Sequence, residues 1–314
     1  MKLRIALLCT LGAALAASAE DAGWSHYGGD EGGSRYSAAR QITPDNVGNL
    51  IPAWSFSTGD LAKRNRKTMR RTSMQVTPIL VGDKLLMCSS FNEIIALDPA
   101  TGKQLWRFDP KIPTDEIYPA NKFNCRGVAV SADQARVFAA TNDARVISLE
   151  LSSGQPVVSF GTSGEVRVDP GLDLKWPGEF QITSAPVVVG KSVIVGSSIG
   201  DNRRVDAPHG TVRAYDTETG ALKWTWDPIP RDDKDPASAS WGGGNKVVGH
   251  ANVWAPMSAD TKRGLVFLPT SSPSPDFFGG LRPGNNEHAN SVVALKAETG
   301  ELVWSFQTVH HDVW

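Results

Sequence analysis

Apolar and polar residues alternate along most of the chain in short runs that are typical of β-strands. Four segments repeat one pattern, in which an apolar run leads through a Thr-Gly or Ser-Gly turn into a second run that carries an aromatic residue: IIALDPATGKQLWRF, VISLELSSGQPVVSF, TVRAYDTETGALKWTW and SVVALKAETGELVWSF. Glycine supplies the positive φ of a tight turn, and the alternation on both sides predicts hairpin strands that bury one face. The turn glycines are Gly102, Gly154, Gly220 and Gly300.

A further strand pair precedes each hairpin, most clearly at residues 77–90 and 184–198. Each unit therefore holds about four strands, and helical periodicity is nearly absent. Repeated four-stranded units predict an all-β fold, a β-propeller, in which neighbouring blades bury each other's faces. The predicted units end near residues 108, 162, 228 and 308.

Aromatic residues in the closing runs are predicted to pack between blades. They are Trp106, Phe160, Trp224 and Trp304. Upstream, Trp24 and Trp54 lie in two stretches that do not make a complete unit, which indicates a partial blade finished by strands from elsewhere. Four units and a partial one are too few to close a large ring, so either the chain is a fragment or a partner completes it.

The first residues have the three parts of a secretory signal: Lys2 and Arg4, an apolar run, and a small-residue site ending at Ala19. We expect residues 1–19 to be removed and residues 20–314 to form a periplasmic propeller domain. No later run approaches the roughly 20 apolar residues that a membrane-spanning helix needs, so no transmembrane segment is predicted.

Cleavage of the signal removes one cysteine and leaves Cys88 and Cys125, which an oxidising compartment allows to pair if the fold brings them together. The formal net charge of −1 gives no reason to expect a nucleic acid or an anionic membrane as partner. The single basic run, residues 63–71, is interpreted as a solvated loop.

The repeats, read with WSHYGGDEGGSRYS, CRG, GSSIGDN, VWAP and VHHDVW, resemble the quinoprotein dehydrogenases that use pyrroloquinoline quinone (PQQ). The resemblance is strongest to the periplasmic domain of membrane-bound glucose dehydrogenases. It implies an eight-bladed propeller, about half of it present here, with cofactor and metal on the axis at one end. It also implies that Cys88 and Cys125 lie near that end, and it leaves their pairing open.

PQQ is flat and carries three carboxylates, so its pocket needs an aromatic face and cationic or polar donors. By the resemblance, Trp254 stacks on the ring and Arg126 pairs with a carboxylate. Thr183 and Ser198 match positions that offer hydroxyls, and Gln75 stands where relatives commonly have a glutamate. Trp254 as one more blade-packing residue is disfavoured because it precedes Ala-Pro at the start of a unit.

For the metal, the resemblance assigns Asp201 and Asn202 as ligands of Ca²⁺ or Mg²⁺, ions that prefer oxygen donors. Alone, this pair would be interpreted as a turn. Methanol dehydrogenases have a further asparagine ligand near the position of Ser272, which glucose-type enzymes also lack.

The ending VHHDVW contains His310, His311 and Asp312. In relatives an aspartate, the proposed general base, follows this motif directly, so it is expected after Trp314, and the three residues are interpreted as the approach to the active site. A transition-metal site is disfavoured because adjacent side chains on a strand point to opposite faces.

The resemblance predicts PQQ-dependent oxidation of a sugar or alcohol hydroxyl in the periplasm, with electrons passed to a respiratory quinone or cytochrome c. The 314-residue chain itself is expected to be inactive because the base is missing. The alternative is a non-catalytic periplasmic scaffold with the same repeat, which has no need of an arginine, a stacking tryptophan and an Asp-Asn pair in register. The exact substrate is left open.

Overall fold

The computed structural model describes residues 23–314, so the predicted signal at residues 1–19 lies outside the described residues. Four antiparallel sheets of four strands follow one another along the chain, as expected for propeller blades. The first blade contains β1 (Ile79–Val81), β2 (Lys84–Cys88), β3 (Ile94–Leu97) and β4 (Gln104–Phe108), and the second contains β5 (Ala129–Val130), β6 (Arg136–Ala140), β7 (Arg145–Glu150) and β8 (Glu165–Arg167).

The third blade is interrupted by a small two-stranded sheet. β9 (Phe180–Gln181) and β12 (Ser198–Ile199) form that sheet, and the blade itself contains β10 (Val187–Val189), β11 (Ser192–Val195), β13 (Val212–Asp216) and β14 (Leu222–Trp226). The fourth blade contains β15 (Ser258–Asp260), β16 (Leu265–Pro269), β17 (Ser291–Lys296) and β18 (Leu302–Gln307). In the described part of the chain, the helical segments are α1 (Asp60–Lys63) and the 3-10 turns Val47–Asn49, Pro236–Trp241 and Gly244–Lys246.

The hydrophobic core lies between the blades. Three apolar clusters join the first blade to the second, the second to the third, and the third to the fourth. The middle strands of the first three blades are mostly buried, and all four residues of β3 and of β11 are buried. In the fourth blade β16 alternates between buried and half-buried residues. Because each blade covers its neighbour, the apolar area removed from water stabilises the array rather than any single sheet.

The closing-strand tryptophans connect consecutive blades through the turn glycines. The rings of Trp106 and Trp224 lie over Gly154 and Gly300, and each indole N–H donates to a backbone carbonyl of the next blade, at 3.0 and 2.9 Å respectively. Both side chains are buried, whereas Trp304 finds no such glycine within residues 23–314 and is 43% exposed. The prediction that these aromatic residues pack between blades holds for Trp106 and Trp224, and Phe160 lies in the apolar cluster between the second and third blades.

The second blade departs from the predicted pattern. Its outer strand is β8, not the QPVVSF run that was predicted to close the unit near residue 162. Pro156 pairs with Leu149, between the hydrogen bonds from Glu150 N to the Gln155 carbonyl at 2.8 Å and from Val157 N to the Ser148 carbonyl at 2.9 Å. The run ends after this short pairing, and the chain turns before it returns to the sheet at Glu165. Phe160 is buried against Phe138, with ring centroids 5.7 Å apart, instead of covering a glycine of the next blade.

The partial unit predicted upstream forms no regular strand in the described residues. Trp54 instead lies over Gly102, as the other tryptophans do over their glycines. Residues 24–35, here called the strap, run from the first blade to the fourth. The carbonyl of Trp24 accepts from Leu80 N at 2.8 Å, and the carbonyl of Glu31 accepts from Ala259 N at 2.8 Å.

Candidate functional site

Three of the residues that the sequence assigned to the cofactor lie together. Arg126 N donates to the carbonyl of Thr183 at 3.0 Å, and the Arg126 guanidinium donates to the Thr183 hydroxyl. The Arg126 Cζ atom lies 5.3 Å from the centre of the Trp254 ring, within the range of a cation–π contact. Ser184, which sequence reasoning did not single out, donates its hydroxyl to the carbonyl of Trp254.

The electrostatics of this cluster favour an anion. Burial lowers the pKa of Arg126, and nearby Tyr27 acts in the opposite direction. Within residues 23–314, no Asp or Glu lies within salt-bridge distance of Arg126 to offset that cost, although half-buried arginines are usually paired. Trp254 is 46% exposed in the same place. An unpaired cation beside an open aromatic face fits a flat molecule that carries carboxylates.

Ser198 and Gln75 lie on neighbouring segments but do not contact the cluster. Ser198 begins β12, is buried, and accepts from the side chain of Asn121 at 2.7 Å. Gln75 is exposed, and its amide donates to the hydroxyl of Ser73 at 3.3 Å. The segment of Gln75 is held beside Arg126, because Thr77 N donates to the carbonyl of Arg126 at 2.9 Å.

The predicted metal ligands lie beside two residues that sequence reasoning missed. His250 Nδ1 is 3.9 Å from Asp201 Oδ1 and 3.7 Å from Asp276 Oδ1, and Asp276 N donates to Asn202 Oδ1 at 2.9 Å. Burial raises the pKa of Asp201, which His250 opposes and Asp276 reinforces. Asp276 belongs to SSPSPD, the segment in which the methanol-type ligand is absent.

These oxygen donors suit a hard divalent cation. The donor set contains two carboxylates and one amide, and it comes from two loops that follow β12 and β16. Among the residues that the structure describes, no group of three His, Cys, Asp or Glu side chains stands at metal-binding spacing. A cation here would therefore need the Asn202 amide and oxygens from outside the protein.

The motif VHHDVW is anchored by the loop between β16 and β17. His311 Nδ1 lies 2.7 Å from the carbonyl of Gly284, and Asp312 accepts from Ser272 and, at 3.2 Å, from Asn290. The buried Arg282 donates to the carbonyl of Asp312 at 2.6 Å. Both His311 and Asp312 are therefore engaged in holding the segment.

Trp314 is fixed by the same loop, with its ring edge-to-face against Phe277 at 5.8 Å. Cys88 and Cys125 form a disulfide, with their Cα atoms 6.1 Å apart. The bond settles the pairing that the sequence left open. It ties the end of β2 to the residue that precedes Arg126.

Comparison with known proteins identifies the family of this chain. The family described as "PQQ: Glucose/ethanol/alcohol dehydrogenase, beta-propeller domain" matches residues 24–314. The chain is 37% identical to quinoprotein glucose dehydrogenase A of Acinetobacter calcoaceticus, over 93% of this chain and 38% of the relative. It is also 37% identical to a quinate/shikimate dehydrogenase (quinone) of Acinetobacter baylyi, over 93% and 38%.

A solved structure, the quinohemoprotein alcohol dehydrogenase of Comamonas testosteroni, is 27% identical with a TM-score of 0.77 and covers 95% of this chain and 43% of that one. The architecture and the match over nearly the whole described chain define a propeller of the quinoprotein type. The chain belongs to the PQQ-dependent glucose/ethanol/alcohol dehydrogenase family. It spans about 38% of the length of the curated relatives reported above.

Proposed function

We propose that the protein containing this chain is a periplasmic PQQ-dependent dehydrogenase that oxidises a hydroxyl of a sugar or alcohol, in the manner of glucose dehydrogenase. Its electrons pass to a respiratory quinone or to cytochrome c. One observation carries the proposal: Arg126 is a half-buried cation without an acidic partner, and it stands beside the open ring of Trp254.

Each residue of the cluster has a distinct part in the proposal. Trp254 supplies the flat apolar surface on which the cofactor rings stack. Arg126 binds a cofactor carboxylate, and Thr183 holds the guanidinium in place from the side. Ser198 and Gln75 offer further polar groups at the rim. When bound, PQQ accepts hydride from the carbon atom that carries the substrate hydroxyl.

The remaining proposed roles are binding of the metal ion and positioning of the general base that accepts the substrate proton. Asp201 and Asn202 hold Ca²⁺ or Mg²⁺ where it stabilises negative charge on an oxygen atom. His311 and Asp312 fix the segment that leads to the general base, which the resemblance places after Trp314. Among residues 23–314 no helix is long and apolar enough to cross a bilayer. The periplasmic location is supported by the sequence pattern of residues 1–19.

The test uses the complete protein, loaded with PQQ and Ca²⁺ or Mg²⁺ and assayed by dye reduction. The substrates tested are glucose, glycerol, ethanol and quinate. Both glucose and quinate are included because this chain has the same sequence identity to the glucose enzyme as to the quinate enzyme. We expect PQQ-dependent turnover on at least one of these compounds, with glucose as the leading candidate. No turnover on any sugar or alcohol, with PQQ demonstrably bound, would contradict the proposal.

A further inference from the structure

The carboxylate of Asp276 is buried without a hydrogen-bond partner on one oxygen. Its side chain is 6% exposed, and no atom of residues 23–314 hydrogen-bonds to Oδ1. Leaving a buried carboxylate oxygen unpaired costs free energy, so such a group is usually paired or coordinates a metal. This oxygen and Asp201 Oδ1 both lie within 3.9 Å of the same atom, Nδ1 of His250.

The ring of His250 does not satisfy either carboxylate. His250 Nε2 lies 3.1 Å from the carbonyl of Gly200, which can only accept, so Nε2 carries a hydrogen atom. His250 Nδ1 is 3.9 Å from Asp201 and 3.7 Å from Asp276, beyond normal hydrogen-bond length in both cases. Two carboxylate oxygens therefore face one small volume beside a buried imidazole.

The backbone of Asp276 also positions the other predicted ligand. Its N–H donates to Asn202 Oδ1 at 2.9 Å, which orients the amide and leaves the second lone pair of that oxygen free. Asn202 has a φ of 52°, a left-handed conformation that asparagine tolerates better than most residues. One residue of the SSPSPD segment thus fixes Asn202 and adds a carboxylate opposite Asp201.

We propose that Asp276 is the third protein ligand of the divalent-cation site, completing the pair formed by Asp201 and Asn202. This inference rests on the proposed function for the identity of the cation. The hydroxyl of Ser272, near the position of the methanol-type asparagine, is engaged elsewhere, because it donates to Asp312 and accepts from Asn290 at 3.0 Å. A carboxylate four residues later takes its place, and a second negative charge strengthens the binding of Ca²⁺ or Mg²⁺.

The experiment measures cation binding directly, by isothermal titration of the complete protein with Ca²⁺ and with Mg²⁺, with and without PQQ. Asp276→Asn keeps the shape and removes the charge, and we expect it to weaken cation binding at least about tenfold. Asp83→Asn makes the same chemical change on an exposed turn, where the side chain is 85% exposed, and should bind like the wild type.

Melting without cation supplies a second readout. If Asp276 is a ligand, Asp276→Asn removes the repulsion between the buried Asp276 carboxylate and the half-exposed Asp201 carboxylate. The cation-free variant should therefore melt at or above the wild-type temperature and gain less stability from Ca²⁺. Wild-type cation affinity in Asp276→Asn would overturn the proposal and leave Asp276 as a structural partner of Asn202. The absence of measurable cation binding in the wild type would overturn it as well.

Asp276→Glu guards against a folding defect in the asparagine variant. It keeps the charge, so binding within a few fold of wild type is expected, and a loss as large as that of Asp276→Asn would count against ligation by the carboxylate. The two proposals fail separately. Asp276-dependent cation binding without PQQ turnover would contradict only the dehydrogenase, and turnover with cation affinity independent of Asp276 would contradict only this inference.

Discussion

At the scale of single residues, the proposed function gives Arg126 the binding of a cofactor carboxylate. A planar guanidinium can donate two parallel hydrogen bonds to a carboxylate, and a lysine cannot. Arg126→Lys should weaken PQQ binding by about 1.5–3 kcal/mol, the range for a hydrogen bond to a charged group. The measurement is a PQQ titration followed by tryptophan fluorescence.

Arg263→Lys is the matched control, because Arg263 is exposed and paired with Asp260. If both variants bound PQQ as tightly as the wild type, Arg126 would not bind the cofactor and would have only a structural role beside Thr183.

The residues of the site were predictable from the sequence to different degrees. Arg126, Thr183 and Trp254 could be assigned because their short motifs resemble those of a known family, and the structure brings them together. His250 and Asp276 carry no local signal of that kind. Their proximity to Asp201 arises from loops far apart in the chain, and neither apolar periodicity nor turn chemistry determines where such loops meet.

At the scale of elements, the contact between tryptophan and glycine determines how closely two blades approach. A Cβ added to Gly154 would lie 2.5 Å from the ring of Trp106, and the φ of Gly154 is 71°. Gly154→Ala should therefore lower the free energy of unfolding by about 2–5 kcal/mol, from left-handed strain and overpacking together. Urea denaturation measures the difference.

Gly82→Ala provides the control, since Gly82 has a φ of 56° with nothing near its missing Cβ. It should cost about 1–2 kcal/mol, from the backbone strain alone. Equal losses of unfolding free energy in Gly154→Ala and Gly82→Ala would contradict this expectation, because they would show that the ring of Trp106 moves aside without cost.

The disulfide is a second connection between elements. Cys88 and Cys125 are 37 residues apart in sequence and join the first blade to the start of the second. Replacing both cysteines with serine should lower stability by about 2–4 kcal/mol, because the unfolded chain regains the freedom that the cross-link removes. Wild-type protein measured in a reductant should approach the same value, and an unchanged unfolding midpoint in both would contradict this expectation.

The blades themselves follow from the sequence, because the turn glycines and the alternating runs encode each hairpin locally. The second blade is the exception. Its run around Pro156 has the apolar pattern of a strand and pairs briefly with β7, yet the regular outer strand is β8. Pattern alone does not reveal which of the two runs forms the regular outer strand.

At the scale of the whole molecule, the strap at residues 24–35 links blades that are not neighbours. The Glu31 carboxylate accepts from the hydroxyl of Thr261 at 2.6 Å and from its N–H at 3.2 Å. Glu31→Ala should lower the free energy of unfolding by about 0.5–1.5 kcal/mol per hydrogen bond lost. Glu116→Ala, at an exposed loop position, should leave it unchanged. If Glu31→Ala and Glu116→Ala gave the same unfolding curve, the contact between the strap and the fourth blade would not contribute to stability.

The strap also imposes an order on folding. Glu31 and Thr261 are 230 residues apart, so their contact forms only after the fourth blade exists to receive it. The free-energy cost of closing a loop rises by only about 0.6 kcal/mol for each doubling of its length. A contact between such distant residues can therefore form late in folding at a small additional cost. The amide of Ala259 would then be among the last to gain protection from hydrogen exchange during refolding, and its protection would report that all four blades are in place.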